Sequence, residues 1–189
     1  MGDSDDSDEV VWRRVVAGNA RDYGLIWDRH RDRVIRHLRL SGSTLVDADD
    51  LAALTFLELW RRRADVRFVD GSLLPWLIVT AQNVHRNAQR AHRRYRAFLA
   101  SLPEPEPAPD HADQFAEFDN SRLLRLRALL ADARPADARL LAMTSLEGFT
   151  IREAAAALGV SESAAKMRLS RLRQRLSSSL GPITEGETP

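Results

Sequence analysis

FTIREAAAALGVSESAAKMRLSRLRQRL, residues 149–176, reads as two helices joined by a glycine turn. Thr150 can cap the first helix, and Glu153 three residues on completes a capping box. Phe149 can staple against Ala154. Ile151, Ala154, Ala155 and Leu158 form an apolar stripe at helical spacing, and Gly159 supplies a left-handed stop. Val160 fills the gap between the helices and Ser161 caps the second one. That helix carries Ala165, Leu169, Leu172 and Leu176 on its inner side, with Lys166, Met167, Ser170, Arg171 and Arg173 outward. A helix, a glycine turn and a basic helix of this length form the geometry that lays a second helix in the major groove of DNA. An amphipathic hairpin with a merely solvated basic face would share the periodicity. The small residues from Ala154 to Ala157, which permit a close crossing, and the concentration of cations on the second helix favour DNA.

The rest of the chain is read outward from this motif. Its 189 residues carry 44% hydrophobic and 29% charged residues, enough for packed cores in one medium or two small domains. There is no cysteine, which excludes disulfides and thiolate chemistry. The sequence contains no apolar run of about 20 residues and begins acidic, so a cytoplasmic protein without membrane insertion is expected. The net charge of +1 conceals a pattern: residues 21–100 carry 15 Arg against 9 Asp and Glu, and residues 121–176 carry 11 Arg and Lys against 5. Between them, residues 101–120 hold 6 acidic side chains and no Arg or Lys. Two basic blocks flanking an acidic one suggest two polyanion-binding modules on a linker. Leu102-Pro103-Glu104-Pro105-Glu106-Pro107-Ala108-Pro109 marks the boundary, since prolines at every second position forbid a helix. The expected fold is all-α: two small helical domains, of about four helices each, joined by an acidic Pro-rich linker. The expected bounds are an acidic disordered tail to residue 12, a first domain over 13–99, the linker over 100–120, the helix-turn-helix domain over 121–178 and a flexible tail over 179–189.

In the first domain, Asp47-Ala48-Asp49-Asp50-Leu51 opens a helix with carboxylates at the positive end of its dipole, and Arg61-Arg62-Arg63 closes it. The run between them is apolar on nearly every side, as in a helix that covers a core while offering a face to a partner. After Gly71, Leu74-Pro75-Trp76-Leu77 begins a long helix with Leu77, Ile78, Ala81, Val84 and Ala88 expected on one inner face. Its outward side mixes amides with arginines (Gln82, Asn83, Arg86, Asn87, Arg90, Arg93 and Arg94), and Tyr95 and Phe98 close it. Amides read base edges and arginines hold phosphates.

In family order, these segments resemble the bacterial RNA polymerase sigma factors, and most closely their small extracytoplasmic-function (ECF) group. Leu146-Glu147-Gly148-Phe149-Thr150 through Leu172 is similar to region four; Asp47 to Trp60 and Trp76 to Asn83 are similar to region two. The resemblance implies a sigma factor that binds core RNA polymerase and directs promoter-specific initiation. It implies that Thr150, Lys166, Met167, Arg168, Ser170, Arg171 and Arg173 meet the minus-thirty-five element. Trp76, Asn83, Arg86, Asn87, Arg90, Arg93 and Arg94 would read and melt the minus-ten element. Asp49, Asp50, Ala53, Leu54, Leu57 and Trp60 would meet the β′ clamp helices, with the β flap as the other polymerase contact. An anti-sigma factor is a further implied partner, for which the apolar face of residues 51–60 is a fair docking site. Three features depart from the family pattern. Ala53 and Leu54 stand where a Gln-Glu or Asp-Glu pair is usual, Val79 and Gln82 replace commonly basic residues, and Ala165 stands where a β-branched residue is more usual.

The residues give no sign of catalysis. His85 and His92 lie seven apart, too far for an i, i+4 metal pair, and neither a glycine-rich phosphate loop nor a nucleophile elbow occurs. No enzyme activity, cofactor or metal site is expected. On the residues alone, a conventional dimeric helix-turn-helix repressor or activator remains open, as does an adaptor that binds an acidic protein.

Overall fold

The structure, a computed structural model, describes residues 6–101 and 133–180. The proline-rich linker, the first part of the expected helix-turn-helix domain (residues 121–132) and the last nine residues lie outside the described residues. Among those described, the regular structure is helical apart from one isolated bridge between Val69 and Ser72. The helices are α1 (Asp8–Val16), α2 (Tyr23–Leu40), α3 (Leu45–Arg61), α4 (Leu74–Leu99), α5 (Pro135–Ser145), α6 (Ile151–Leu158) and α7 (Glu162–Leu180), with a short 3₁₀ turn at Ala20–Asp22. None is long and apolar enough to cross a membrane.

The first helix corrects an expectation. The acidic stretch to residue 12, expected to be a disordered tail, is helical from Asp8 onward. Val11, Trp12 and Val15 are buried in the core, and the Trp12 Nε1–H donates to the Arg63 carbonyl at 3.1 Å. Asp8 is itself buried and is the anchor. Its Oδ2 accepts from the Leu73 amide (2.8 Å) and the Ser72 hydroxyl (3.2 Å) and meets His30 Nε2 at 2.7 Å. Its Oδ1 accepts from Arg29 at 2.7 Å. Burial alone would push this carboxyl up, but His30, the Leu73 amide and Arg29 hold it well below the ordinary carboxylate range. A count of acidic residues cannot distinguish a solvated carboxylate from one that four donors enclose.

Helix ends follow local chemistry. The Thr44 hydroxyl accepts from the Asp47 amide at 3.1 Å to start α3, and Pro75 sits in the first turn of α4, where its missing N–H costs nothing. The N-terminal core joins α1, α2 and α3 through Ile26, Val34, Leu38, Leu51, Phe56 and Leu59. Tyr23 donates to the Phe56 carbonyl at 2.6 Å, and burial pushes its pKa up to about 12.

Helix α4 serves two cores instead of one. Leu77 and Ala81 close the N-terminal core, with Val84 packed partly against it. Leu74 and Ile78 turn the other way, into a cluster with Leu140, Met143, Ala154, Ala155, Ala165 and Leu169. Ala88, expected on the inner face, is exposed. The two modules are thus packed together and not merely tethered. A buried ionic group completes the seam. Glu147, just beyond α5, has a fully buried carboxylate that meets His37 Nδ1 at 2.8 Å and accepts from Arg33 Nε at 3.0 Å. Arg33 also donates to the Glu147 carbonyl and lies over the Phe149 ring, 5.8 Å from its centroid.

Replacing Asp8 by alanine strands His30 and Arg29 and should cost about 3 kcal/mol, read as a lower urea midpoint. The native carboxyl is depressed from its ordinary 3.8. Its contribution is therefore complete above that value and fades as pH falls toward the folded-state pKa, so the gap between the two proteins narrows in strong acid.

Candidate nucleic-acid interface

The C-terminal motif takes the geometry expected of it. Thr150 Oγ1 accepts from the Glu153 amide at 3.2 Å while Glu153 Oε2 accepts from the Thr150 amide at 2.7 Å, a closed capping box. The Thr150 hydroxyl and then the Thr150 amide, both donating to Glu153 Oε2, hold the Glu153 carboxyl below its ordinary pKa. Gly159 is left-handed at φ 67°, and the Ser161 hydroxyl accepts from the Ala164 amide at 3.2 Å to start α7. Ala165 and Leu169 are buried against α5 and α6, and Leu172 is buried as well. Lys166, Met167, Ser170, Arg171 and Arg173 are exposed on the opposite face. Lys166 is held upright by Glu162 at 2.7 Å. Arg168 is placed differently from the rest: it is half-buried and turned toward Asp137 of α5, 4.0 Å away. Thr150 is occupied by its capping role.

On α4, Asn87, Arg90, Arg93 and Arg94 are exposed and line one shallow hollow. Trp76 is half-buried against the N-terminal core. Asn83 and Arg86 are also half-buried, and Asn83 Oδ1 accepts from Arg86 Nη2 and from Arg139 Nη1 of α5, both at 3.1 Å. Burial and the neighbouring Arg86 push the Arg139 guanidinium below its ordinary pKa. Arg139 escaped sequence reasoning because it lies outside the helix-turn-helix, on a helix whose apolar pattern says nothing about a cation. Only the packing of α5 on α4 reveals its target.

The third surface is the outer side of α3. Leu54, Leu57 and Trp60 are 48%, 41% and 38% exposed, and Asp50 and Ala53 share their face. The inner side (Leu51, Ala52, Thr55, Phe56 and Leu59) is buried, which explains a helix apolar all round. Asp49 departs from the group, because Arg31 of α2 holds it at 2.8 Å. A second hollow, lined by Leu54, Glu58, Arg62, Thr80, Asn83, Val84 and Asn87 among others, joins this face to α4. The structure therefore presents two basic helical faces and, on α3, one apolar face.

Comparison with known proteins identifies this layout. Sigma-70 region 2 matches residues 26–95 and sigma-70 region 4 matches residues 123–176. RNA polymerase sigma factor CnrH of Cupriavidus metallidurans is 28% identical, over 96% of this chain and 98% of that protein. ECF RNA polymerase sigma factor SigM of Mycobacterium tuberculosis is 28% identical, over 95% of this chain and 88% of its own length. The solved structure of CnrH in complex with the cytosolic domain of CnrY superposes with a TM-score of 0.60 at 25% identity, covering 92% of this chain and 96% of that one. The sigma factor RpoE of Bartonella quintana, solved in complex with the anti-sigma factor NepR, shares the fold with a TM-score of 0.54 at 22% identity over 85% of this chain and 97% of that one. The chain belongs to the sigma-70 family of RNA polymerase sigma factors, in its ECF group, and its role is to direct promoter-specific transcription initiation. A dimeric regulator sharing only the C-terminal motif finds no support, because region 2 matches the N-terminal half.

Removing the capping hydroxyl with Thr150→Ala should lower stability by about 1 kcal/mol, while Thr150→Ser stays near the parent. Thermal unfolding monitored by circular dichroism reads the difference.

Proposed function

We propose that this sigma factor binds core polymerase through the outer face of α3, centred on Asp50, Ala53, Leu54, Leu57 and Trp60. In this reading it reads the minus-thirty-five element with Lys166, Met167, Ser170, Arg171 and Arg173 of α7. The minus-ten element is read and melted by Trp76, Asn83, Arg86, Asn87, Arg90, Arg93 and Arg94 of α4. The carrying observation is that exposed cations lie on the two helices that the family places against DNA, while Leu54, Leu57 and Trp60 are exposed together on one face of α3. Ala53 and Leu54 make the polymerase contact more apolar than a carboxylate-amide pair would. The modules are assigned to residues 13–99 and 121–178, with the start of α1, from Asp8 to Trp12, extending the first. The protein acts in the cytoplasm, by binding and not by catalysis. An anti-sigma factor is the natural regulator, as NepR accompanies the Bartonella protein, and the α3 face offers it a site.

Transcription reconstituted with purified core enzyme tests the reading. The chain is expected to start transcripts at promoters mapped in cells, and failure at all of them would overturn it. Arg171→Ala should lower yield roughly tenfold, since one bidentate base contact is worth about 1–3 kcal/mol. Leu57→Asp should abolish co-purification with core polymerase while leaving the melting temperature within a few degrees of the parent.

A further inference from the structure

Two guanidiniums converge on one neutral acceptor where α5 packs on α4. Arg86 Nη2 and Arg139 Nη1 both donate to Asn83 Oδ1, at 3.1 Å each. Neither has a carboxylate partner among the described residues, and Arg86 Nε is buried there with no hydrogen-bond partner. Arg14 and Arg33, half-buried like them, are each met by acid: Asp6 and Asp22 in one case, Glu147 in the other. Like charges held together without a counter-charge repel, and partial burial strengthens that repulsion. The Arg86–Arg139 pair therefore lacks an anion that the chain supplies to comparable arginines.

Both arginines line a hollow of about 660 Å³ bounded by the end of α2, by α4 and by α5. None of the described residues that line it is acidic, and Arg93 adds a third cation. The same hollow holds apolar surface: Leu40 and Leu146, large side chains left 55% and 46% exposed, both line it. Its volume lies within the roughly 300–1,000 Å³ of small-molecule sites. A guanidinium meets phosphate through parallel N–H···O bonds, so three arginines together suit a chain of phosphates better than a single one. Exposed leucines beside them suit a flat apolar group joined to that chain. A hollow this small takes a compact anion and not a duplex.

We propose that this hollow binds a nucleoside polyphosphate, with its phosphates on Arg86, Arg139 and Arg93 and its base against Leu40 and Leu146. The phosphates supply the counter-charge that the arginine pair lacks. Arg86 and Arg93 are also assigned to the minus-ten element, so nucleotide and promoter compete for the same guanidiniums. That competition, unlike the site itself, rests on the promoter role proposed above.

Isothermal titration calorimetry of the free full-length chain, without magnesium, tests the site with ATP, inorganic tripolyphosphate and adenosine. One ATP per chain is expected, with tripolyphosphate about tenfold weaker for want of the apolar contact and adenosine not bound measurably. Arg139→Gln should weaken ATP about tenfold through the loss of a charge-assisted contact. Leu146→Ser should weaken ATP and leave tripolyphosphate unchanged, and it decides the matter if the arginine variant fails to fold. Arg171→Ala, on α7, should change neither. Tripolyphosphate that binds as tightly as ATP overturns the nucleoside and leaves an inorganic polyphosphate site. The site itself is overturned if no ligand saturates, or if Arg171→Ala weakens ATP as much as Arg139→Gln does. With core enzyme and saturating ATP as the one nucleotide, permanganate reactivity of melted promoter thymines should fall about fivefold for the parent and hold for Arg139→Gln. ATP that binds yet leaves melting untouched keeps the site and overturns the promoter role of Arg86 and Arg93 instead.

Discussion

A carboxylate removed from water must be met by positive charge and by donors, or its burial costs more than the contact returns. Glu147 is met by groups from the other module, His37 and Arg33, both on α2. Burial alone would raise its pKa, but these two partners hold it below the ordinary carboxylate value. Every side-chain partner of this group lies on the other module, so together with Leu74, Ile78 and the Arg139–Asn83 bond it sets how the two modules sit. An apolar seam could slide; an ionic group with bonds at 2.8 and 3.0 Å fixes α5 and α6 in register on α2 and α4.

Helix α4 is the element through which this register becomes function. Its first turns are buried on two sides, Leu77 and Ala81 toward one core and Leu74 and Ile78 toward the other. Its later turns, from Asn87 on, are free of both. One continuous helix therefore has a fixed root and an exposed basic shaft. The amides and arginines of the shaft sit where the chain can spare them from packing, and Asn83 and Arg86 mark the transition between packing and recognition.

Much of this was legible in the residues. The capping box at Thr150 and Glu153, the left-handed Gly159 and the apolar stripe from Ala165 to Leu172 are local rules, and local rules survive folding. The two-sided apolar character of α3 announced one buried and one offered face. What was not legible is long-range. Asp8 looked like part of a solvated acidic tail because its partners His30 and Leu73 are 22 and 65 residues away. Ile78 was assigned to the same face as Leu77 because periodicity cannot show that a second core waits on the other side. Arg168 and Asp49 look like free charges in sequence, and only the packing of α7 on α5 and of α3 on α2 gives them partners.

The amine of Lys166 has a consequence of another kind. It is the chain's single lysine, it stands exposed on α7, and Glu162 steadies it at 2.7 Å. An amine-directed reagent therefore meets one side chain, and that side chain lies on the helix assigned to the distal element. Acylation there would remove one positive charge from that surface, and with it the ion pair to Glu162. The shielding of one labelled peptide would then report, without any engineered tag, whether that helix is covered.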